Sequence, residues 1–460
     1  MKRPPFSLLG SKGVAWAVLS LAAWLPAVRA QSFTETAEQR QTRMAAWREA
    51  RFGLFLHWGV FAIPARGEWV QWNEQIPVEE YAKLADQFKP ANFDPKAWVA
   101  TAQAAGMKYM VLTARHHDGF ALFDDPGSDF TSVKTAAQRD FVADYVKAAR
   151  DGGMLVGLYY SPLDWRFPGF FFPDLYLKNA EAMRDQYHRQ MRELLSNYGK
   201  IDILFFDGGE KNWLQFGGRW VSGARWEKRP QGQSYQGRFS WQTDQVYAML
   251  RELQPGVVIN GRADMPEDFH SREGDRALGD FDAEHPWELC TTLAAGAWGW
   301  KAGAAIKSLR DSVQLLAKVV GRDGNFLLNV GPRPDGQIDP PQAQRLQEIG
   351  DWLAKNGESI YGTRGGPFLP GAYGVSTYRG QKIYVHVLDW KGASKLLLPA
   401  IPAKVVRASL LTGGEAMVSQ TEPGIEIAVP ASNQNDTDTI VVLELDQPAG
   451  RIKPVAPTTN

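Results

Sequence analysis

Two adjacent histidines, His116 and His117, follow a short apolar run that begins at Tyr109. An apolar run that breaks off into histidines, an aspartate and a glycine is typical of a buried parallel strand ending at a polar pocket. Imidazole groups at such a place can bind a metal, transfer a proton or hold a ligand by hydrogen bonds. The choice among these three chemistries largely determines what the protein does.

The spacing of the two histidines argues against a metal site. Zinc and iron sites on such scaffolds usually use a His-x-His pair or a His-Glu-x-x-His motif, and neither occurs in the sequence. Neighbouring residues of a strand also point to opposite faces, which makes an adjacent pair a poor chelate. We therefore predict that His116 and His117 hold a ligand by hydrogen bonds and that the protein has no metal or other cofactor. A metal-dependent hydrolase is the less favoured alternative.

Polar side chains also stand where the other apolar runs end. They are His57, Tyr160, Asp207, Asn260, Arg262 and an acidic cluster at 280–288. Asp207 directly follows the apolar run 203–206, where a carboxylate loses hydration unless it has hydrogen-bond donors or a function. An Asp-Gly turn is the structural alternative for that residue. Because several strand ends carry such groups, we interpret them as one converging active site.

The elements that must position these groups alternate between strands and helices. The predicted strands span 52–58, 109–114, 155–161, 201–207, 257–260, 288–292 and 325–330. Helices lie between them, with Asp94 before Pro95 and Asp140 as predicted N-caps. Repeated strand–helix units over about 300 residues predict an α/β fold, a (β/α)8-like TIM barrel. A doubly wound sheet is the competitor, but the first strand lacks a glycine-rich phosphate turn.

Composition and patterning divide the chain of 460 residues into regions. Residues 1–30 resemble a signal peptide, with Lys2 and Arg3 before an apolar stretch of about 13 residues, too short to span a bilayer. The barrel is predicted at residues 31–365. Period-2 alternation predicts a small antiparallel β-sandwich at residues 366–448. Residues 449–460 are predicted to form a tail, and disorder is expected from Gln447 onward. Residues 210–240 are predicted to form a long loop.

Charge and cysteine content limit the partners and the compartment. Lys plus Arg equal Asp plus Glu at 51 each, so no basic stripe points to nucleic acid. Cys290 is the sole cysteine and excludes an internal disulfide. These features predict a periplasmic or secreted bacterial protein without a membrane span after signal removal. The 17 Trp residues suit an enzyme that places rings against sugars, although tryptophan is also common in cores.

Several linked motifs between residues 51 and 363 resemble the α-L-fucosidases of glycoside hydrolase family 29. The motifs are Arg51-Phe-Gly-Leu-Phe-Leu-His-Trp-Gly59, Gly67-Glu-Trp69, Thr113-Ala-Arg-His-His-Asp-Gly-Phe120, Tyr159-Tyr-Ser161, Ile201-Asp-Ile-Leu-Phe-Phe-Asp-Gly208, Asn260-Gly-Arg262, Pro286-Trp-Glu-Leu-Cys290, Trp298-Gly-Trp300 and Gly324-Asn-Phe-Leu-Leu-Asn-Val-Gly-Pro332. Their order and spacing make the resemblance specific. It implies a catalytic barrel, a C-terminal β-sandwich, no metal, and hydrolysis of terminal α-L-fucose with retention.

The resemblance also implies site residues. Asp207 matches the family's nucleophile, and Glu284 fits the acid/base best, with Glu288 as the runner-up. The acid/base match is incomplete, because the threonine that often precedes this glutamate is missing. The positions that match fucose-binding residues are His57, Glu68, Trp69, His116, His117, Tyr160, Arg262 and Trp298.

The expected function is that of a retaining, exo-acting α-L-fucosidase acting on a fucosylated glycan or oligosaccharide. Its chemistry would be a double displacement through a covalent fucosyl-enzyme intermediate. The alternative from another class is a catalytically silent fucose-binding protein. Linkage preference and oligomeric state do not follow from the sequence.

Overall fold

Eight parallel strands form the centre of the N-terminal domain in the computed structural model, which describes residues 33–208 and 238–456. The strands are β1 (Phe52–Leu56), β2 (Tyr109–Arg115), β3 (Leu155–Tyr160), β4 (Ile203–Phe206), β5 (Val258–Ile259), β6 (His270–Glu273), β7 (Trp287–Thr292) and β8 (Asn325–Val330). They are hydrogen-bonded in the order β5-β4-β3-β2-β1-β8-β7-β6. The predicted α/β barrel is therefore confirmed, with one strand, β6, that the sequence analysis did not predict.

The barrel closes weakly between β5 and β6. A single parallel bridge, Asn260↔Phe269, joins these two strands. No helix separates β5 from β6, and only a short 3-10 turn, Asp275–Ala277, lies between β6 and β7. Among the described residues, this side of the barrel consequently has less helical cover than the rest.

Helices surround the remaining strands. The longer ones span Ala37–Ala50, Pro95–Ala104, Phe141–Asp151, Leu177–Asn197, Thr243–Leu253, Leu309–Val320 and Pro340–Asn356, and short ones span Val70–Asn73, Val78–Ala82, Leu84–Gln87 and Pro168–Phe171. Asp94 and Asp140 cap their helices through their carboxylates, which accept hydrogen bonds from the backbone N–H groups of Lys96 and Ala143. Both predicted helix starts are thus confirmed.

Each barrel strand contributes its residues alternately to two separate apolar layers. Phe55, Tyr159 and Phe205 belong to the cluster inside the barrel, whereas alternate residues pack in the layer between strands and helices. The first helix supplies Trp47, which stacks on Phe269 with ring centroids 4.6 Å apart and closes the amino end of the barrel. The carboxyl end of the barrel is the end that remains open to a ligand.

The C-terminal domain consists of two antiparallel sheets, in agreement with the predicted β-sandwich. One sheet has the order β13-β16-β11-β10-β9 and the other β12-β15-β14. Their strands are β9 (Arg364–Gly365), β10 (Gly374–Arg379), β11 (Lys382–Val387), β12 (Lys395–Leu398), β13 (Val405–Leu410), β14 (Met417–Thr421), β15 (Gly424–Ala428) and β16 (Thr439–Leu445).

The segment after β16 is ordered as far as it is described, which corrects the expectation of disorder from Gln447. Ala449 and Ile452 are buried in the sandwich core. The backbone N–H of Val455 donates to the carbonyl of Pro367 at 2.8 Å. Apolar side chains and a backbone pairing therefore hold this segment despite its proline content.

Some predictions fall outside the described residues. These are the signal peptide at 1–30, most of the loop at 210–240 and the last four residues of the tail. Within residues 33–208 and 238–456, no helix has the length and apolar character required to cross a membrane.

Candidate active site

A pocket opens at the carboxyl ends of the barrel strands, where the polar residues were predicted to converge. Its lining consists of Phe55, His57, Trp69, His116, His117, Tyr159, Phe205, Asp207, Arg262, Glu273, Cys290 and Trp298. Seven of the eleven predicted site residues line it: His57, Trp69, His116, His117, Asp207, Arg262 and Trp298. Glu68 lies just behind this lining, and the remaining predicted positions are elsewhere.

Asp207 follows the last residue of β4 and is held rigidly there. Its backbone N–H donates to the carbonyl of Tyr160 at 3.1 Å, which extends the β3–β4 pairing by one residue. The amide of Asn260 binds both the N–H and the carbonyl of Phe206, at 2.8 and 3.0 Å. Gly208 has φ +80°, and a Cβ there would lie 2.5 Å from buried Leu163. These hydrogen bonds fix the backbone up to Asp207, and position 208 has room only for glycine.

Two hydrogen-bond donors and one histidine ring surround the Asp207 carboxylate. The Tyr159 hydroxyl donates to Oδ2 at 2.8 Å and an Arg262 guanidinium nitrogen donates to Oδ1 at 3.1 Å. Nε2 of His117 lies 3.6 Å from Oδ2. Only 14% of the Asp207 side chain is exposed, so these neighbours enclose most of the carboxylate.

Arg262 binds a second carboxylate, that of Glu273 at the end of β6. One terminal nitrogen faces Asp207 and the other donates to Oε2 of Glu273. Burial alone would lower the pKa of Arg262, but the charges of Asp207 and Glu273 outweigh it and raise this pKa above its ordinary value. The Glu273 side chain is 41% exposed, so it faces the mouth of the pocket.

The two glutamates predicted as acid/base lie outside the pocket. Glu284 is exposed on a turn, where its backbone N–H donates to Asp282. Glu288 is at the amino end of β7, near the first helix, and accepts a hydrogen bond from Tyr109 at 2.5 Å. Neither shares a contact with Asp207. The carboxylate beside Asp207 is instead that of Glu273, a residue which the sequence analysis did not single out.

The three histidines of the pocket are neutral near neutral pH. Burial lowers the pKa of His57 and of His117 to about 3 and that of His116 well below its ordinary value. Nδ1 of His117 lies 2.6 Å from the hydroxyl of Ser161. A neutral imidazole has one donor and one acceptor nitrogen, a combination that suits sugar hydroxyls.

The expectation that His116 and His117 point to opposite faces was wrong. β2 ends at Arg115, and its pairing with β3 is irregular between Thr113 and Arg115. Such an irregularity re-aims the side chains that follow it. The two rings lie side by side with centroids 4.2 Å apart, and both line the pocket. In the part of the chain that the structure describes, no three His, Cys, Asp or Glu side chains are grouped to hold a metal ion.

Tyr160, predicted to contact the substrate, does not reach the pocket. Its hydroxyl donates to Gln190 of the helix Leu177–Asn197 at 2.6 Å, on the outer side of the sheet. The preceding residue, Tyr159, points inward and binds Asp207. The motif located the correct strand end, but the alternation of side chains places the adjacent tyrosine in the site.

Glu68 connects two loops at the rim. Its Oε2 accepts the backbone N–H groups of Trp298 and Gly299 at 2.8 and 2.7 Å. Burial raises the pKa of Glu68 although these two donors favour its ionised form. The ring of Trp298 lies 5.1 Å from that of His57, and the ring of Trp69 lies 5.4 Å from that of His117. Aromatic surfaces therefore border two of the histidines.

Comparison with known proteins gives a consistent set of relatives. The α-L-fucosidase family model matches residues 21–358. Tissue α-L-fucosidase of Bos taurus is 30% identical over 384 residues, which cover 75% of this chain and 75% of the relative. Human plasma α-L-fucosidase is 28% identical over 455 residues, 88% of this chain and 90% of the relative.

Solved structures of the same kind share the fold. Alpha-L-fucosidase isoenzyme 1 from Paenibacillus thiaminolyticus has a TM-score of 0.75 and 35% identity, over 89% of this chain and 100% of its own. A family 29 α-L-fucosidase from Bacteroides thetaiotaomicron, a trapped covalent intermediate with 2-fluoro-fucosyl fluoride, has a TM-score of 0.76 and 25% identity over 91% and 99% of the two chains. With most of its length matched by the family model, this chain belongs to the α-L-fucosidase family, glycoside hydrolase family 29.

Proposed function

We propose that the protein is a retaining, exo-acting α-L-fucosidase that removes terminal α-L-fucose from fucosylated glycans. The observation that carries the proposal is the guanidinium of Arg262, which binds Asp207 and Glu273 at once. Retaining glycosidases hold their two carboxyl groups roughly 5–5.5 Å apart, whereas inverting enzymes leave roughly 6.5–9.5 Å for a water molecule. The shared guanidinium brings the carboxylates of Asp207 and Glu273 into one site, which supports their assignment as the catalytic pair.

In the first step, Asp207 is the nucleophile. Its carboxylate forms a bond to the anomeric carbon while the bond from that carbon to the glycosidic oxygen breaks. Glu273 gives a proton to the departing oxygen. Only Oε2 of Glu273 contacts Arg262, so Oε1 is the oxygen that we assign to the proton. The exposure of Glu273 fits this role, because the leaving group departs toward solvent.

In the second step, Glu273 is the base. It takes a proton from water as the water oxygen attacks the anomeric carbon, and Asp207 leaves as the carboxylate. While Asp207 is esterified its negative charge is absent, and Glu273 is then the carboxylate that Arg262 contacts. Two displacements at one carbon release L-fucose with its α configuration retained.

Recognition of fucose falls to the remaining residues of the pocket. We propose that His57, His116 and His117 bind its hydroxyl groups, with Glu68 and Arg262, and that Trp69 and Trp298 contact its apolar parts. Tyr159 joins this set in place of Tyr160, because its hydroxyl is the one beside Asp207.

The test is turnover of an aryl α-L-fucoside by the wild type and by Asp207→Gly. We expect the variant to fold normally, to lose at least about a thousandfold in kcat and to regain turnover with azide, giving a β-fucosyl azide. Turnover like that of the wild type in this variant would rule out Asp207 as the nucleophile. Binding of fucose without turnover by the wild type would indicate a silent binding protein, and loss of activity on chelation a metal-dependent hydrolase.

We further propose that the protein is exported to the periplasm or secreted, with cleavage after Ala30. The basis is the basic start, short apolar stretch and Val28-Arg29-Ala30 sequence of the N-terminus. N-terminal sequencing of the protein recovered from a periplasmic or culture fraction should begin at Gln31. A chain that retains Met1 in the cytoplasmic fraction would contradict export.

A further inference from the structure

Asn329, near the end of β8, binds two residues of the pocket through opposite ends of one amide. Its Oδ1 lies 2.7 Å from Nδ1 of His57, and its Nδ2 donates to the backbone carbonyl of Trp298 at 2.7 Å. The side chain is buried, with 1% of the residue exposed. It does not itself line the pocket.

These two contacts fix the direction of the amide. A backbone carbonyl only accepts hydrogen bonds, so the NH2 group of Asn329 must face Trp298 and the oxygen must face His57. An amide oxygen also only accepts, so Nδ1 of His57 must carry the proton of the imidazole. A neutral imidazole has a single N–H, which leaves Nε2 as an unprotonated acceptor.

The acceptor nitrogen faces the pocket. His57 lines the cavity, and Nε2 has no hydrogen-bond partner among the described residues. The ring is neutral because burial lowers its pKa to about 3. The titratable side chains that face it are those of His116, His117 and Tyr159, and none of them carries a negative charge near neutral pH.

We propose that Asn329 is a positioning residue that holds His57 in the tautomer with Nε2 as an acceptor, so that this point of the pocket selects a hydroxyl donor of the sugar. The same amide also binds the backbone carbonyl of Trp298. It therefore fixes the position of the Trp298 backbone relative to the acceptor nitrogen of His57. This inference rests on the proposed function for the identity of the sugar, but the tautomer itself does not depend on it.

The tautomer can be measured without any activity. Long-range 1H–15N spectra of protein labelled with 15N-histidine distinguish the two nitrogens of each of the seven histidines, and a His57→Gln variant identifies the His57 signals. We expect wild-type His57 to be protonated at Nδ1 alone. In Asn329→Leu, which lacks the acceptor, we expect a mixture or the Nε2–H form. Retention of the pure Nδ1–H form in this variant would overturn the proposal.

The pH profile of Asn329→Asp provides the second test. A carboxylate still accepts from Nδ1, but its negative charge raises the pKa of His57. Protonated His57 presents N–H instead of an acceptor at Nε2, so kcat/KM on an aryl α-L-fucoside should gain a new acidic limb. Below it the value should fall about tenfold per pH unit, as for a single protonation. The wild type should lack this limb over the same pH range.

Asn325→Asp is the matched control. Asn325 lies on the same face of the same strand, is equally buried, and donates to the carbonyl of Trp47 at the opposite end of the barrel. We expect its profile to parallel that of the wild type. Parallel profiles for Asn329→Asp and the wild type would refute a role of Asn329 in setting His57, whereas an inactive wild type with the expected tautomer would refute only the proposed function.

Discussion

Tyr159 and Tyr160 are consecutive residues of one strand, and their hydroxyl groups bind on opposite sides of the sheet. The Tyr159 hydroxyl donates to Asp207 at 2.8 Å inside the barrel. The Tyr160 hydroxyl donates to Gln190 at 2.6 Å in the helical layer. Both side chains are almost fully buried. The direction of each ring, and not its exposure, therefore determines which of the two tyrosines belongs to the pocket.

This relationship predicts different results for two equivalent substitutions. Tyr159→Phe removes a donor to the Asp207 carboxylate, and because hydrogen bonds to charged groups contribute about 1.5–3 kcal/mol, kcat/KM should fall roughly 10- to 100-fold. Tyr160→Phe should leave kcat/KM near that of the wild type and lower the free energy of unfolding by about 1 kcal/mol. Kinetics on an aryl α-L-fucoside and thermal unfolding measure both. The reverse pattern would contradict the assignment of Tyr159 to the site.

The assignment of Glu273 as acid/base predicts a dependence on the leaving group. Glu273→Ala should lose several orders of magnitude in kcat/KM on fucosides with poor leaving groups, which need a proton, and much less on those with activated leaving groups. Glu284→Ala is the matched control, because Glu284 is exposed and lies outside the pocket. A leaving-group dependence confined to Glu284→Ala would restore the assignment made from sequence.

The raised pKa of Glu288 predicts that the free energy of unfolding depends on pH. Burial raises the pKa of Glu288 from 4.5 to about 7, although the Tyr109 hydroxyl donates to it. Between pH 4.5 and 7 the folded protein keeps this proton while the unfolded chain has released it, so the free energy of unfolding falls as pH rises and is constant above about 7. The full loss is on the order of 3 kcal/mol.

A Glu288→Gln variant lacks this titration. Its melting temperature relative to the wild type should therefore rise between pH 4.5 and 7 and then level off. Its activity at a fixed pH should remain close to that of the wild type, since Glu288 lies at the amino end of the barrel. A constant difference in melting temperature across this range would show that Glu288 titrates normally in the folded state.

The contacts of Glu68 predict that its effect on the order of the loop at Trp298 and Gly299 can be measured separately from its effect on sugar binding. Glu68→Gln keeps an oxygen that can accept the N–H groups of Trp298 and Gly299, whereas Glu68→Ala removes it. Hydrogen exchange at these two amides should accelerate in Glu68→Ala and stay slow in Glu68→Gln. Both variants should raise KM if the carboxylate also binds the sugar. Equal protection of the amides in all three proteins would exclude the proposed connection between the loops.

The barrel and the position of Asp207 could be predicted because their signals are local. Asp207 follows four consecutive apolar residues, and β4 is buried throughout, so the sequence contrast is strong. The strand ends that carry His57 and Arg262 were found for the same reason. All three residues line the pocket.

Glu273, the proposed acid/base, could not be located in this way, because its strand lacks an apolar signal. β6 reads His270-Ser-Arg-Glu273, with no residue buried, and its strand conformation comes from parallel pairing with β7. The acidic cluster at 280–288 is more conspicuous in the sequence but forms a turn and the start of β7. Likewise, the inward direction of Tyr159 depends on the register of β3, which the motif alone does not specify.

The single bridge between β5 and β6 has a consequence for how relatives of this chain can differ. The strand that carries Glu273 has little helical packing, so insertions and deletions around it disturb the barrel least, whereas β4 has buried neighbours on both faces. We therefore expect the number of residues between the proposed nucleophile and the proposed acid to vary among relatives while the distance between the two side chains stays constant. A sequence alignment should then match Asp207 correctly among relatives but misalign Glu273. Superposition of the barrel strands should identify the residue equivalent to Glu273 more reliably.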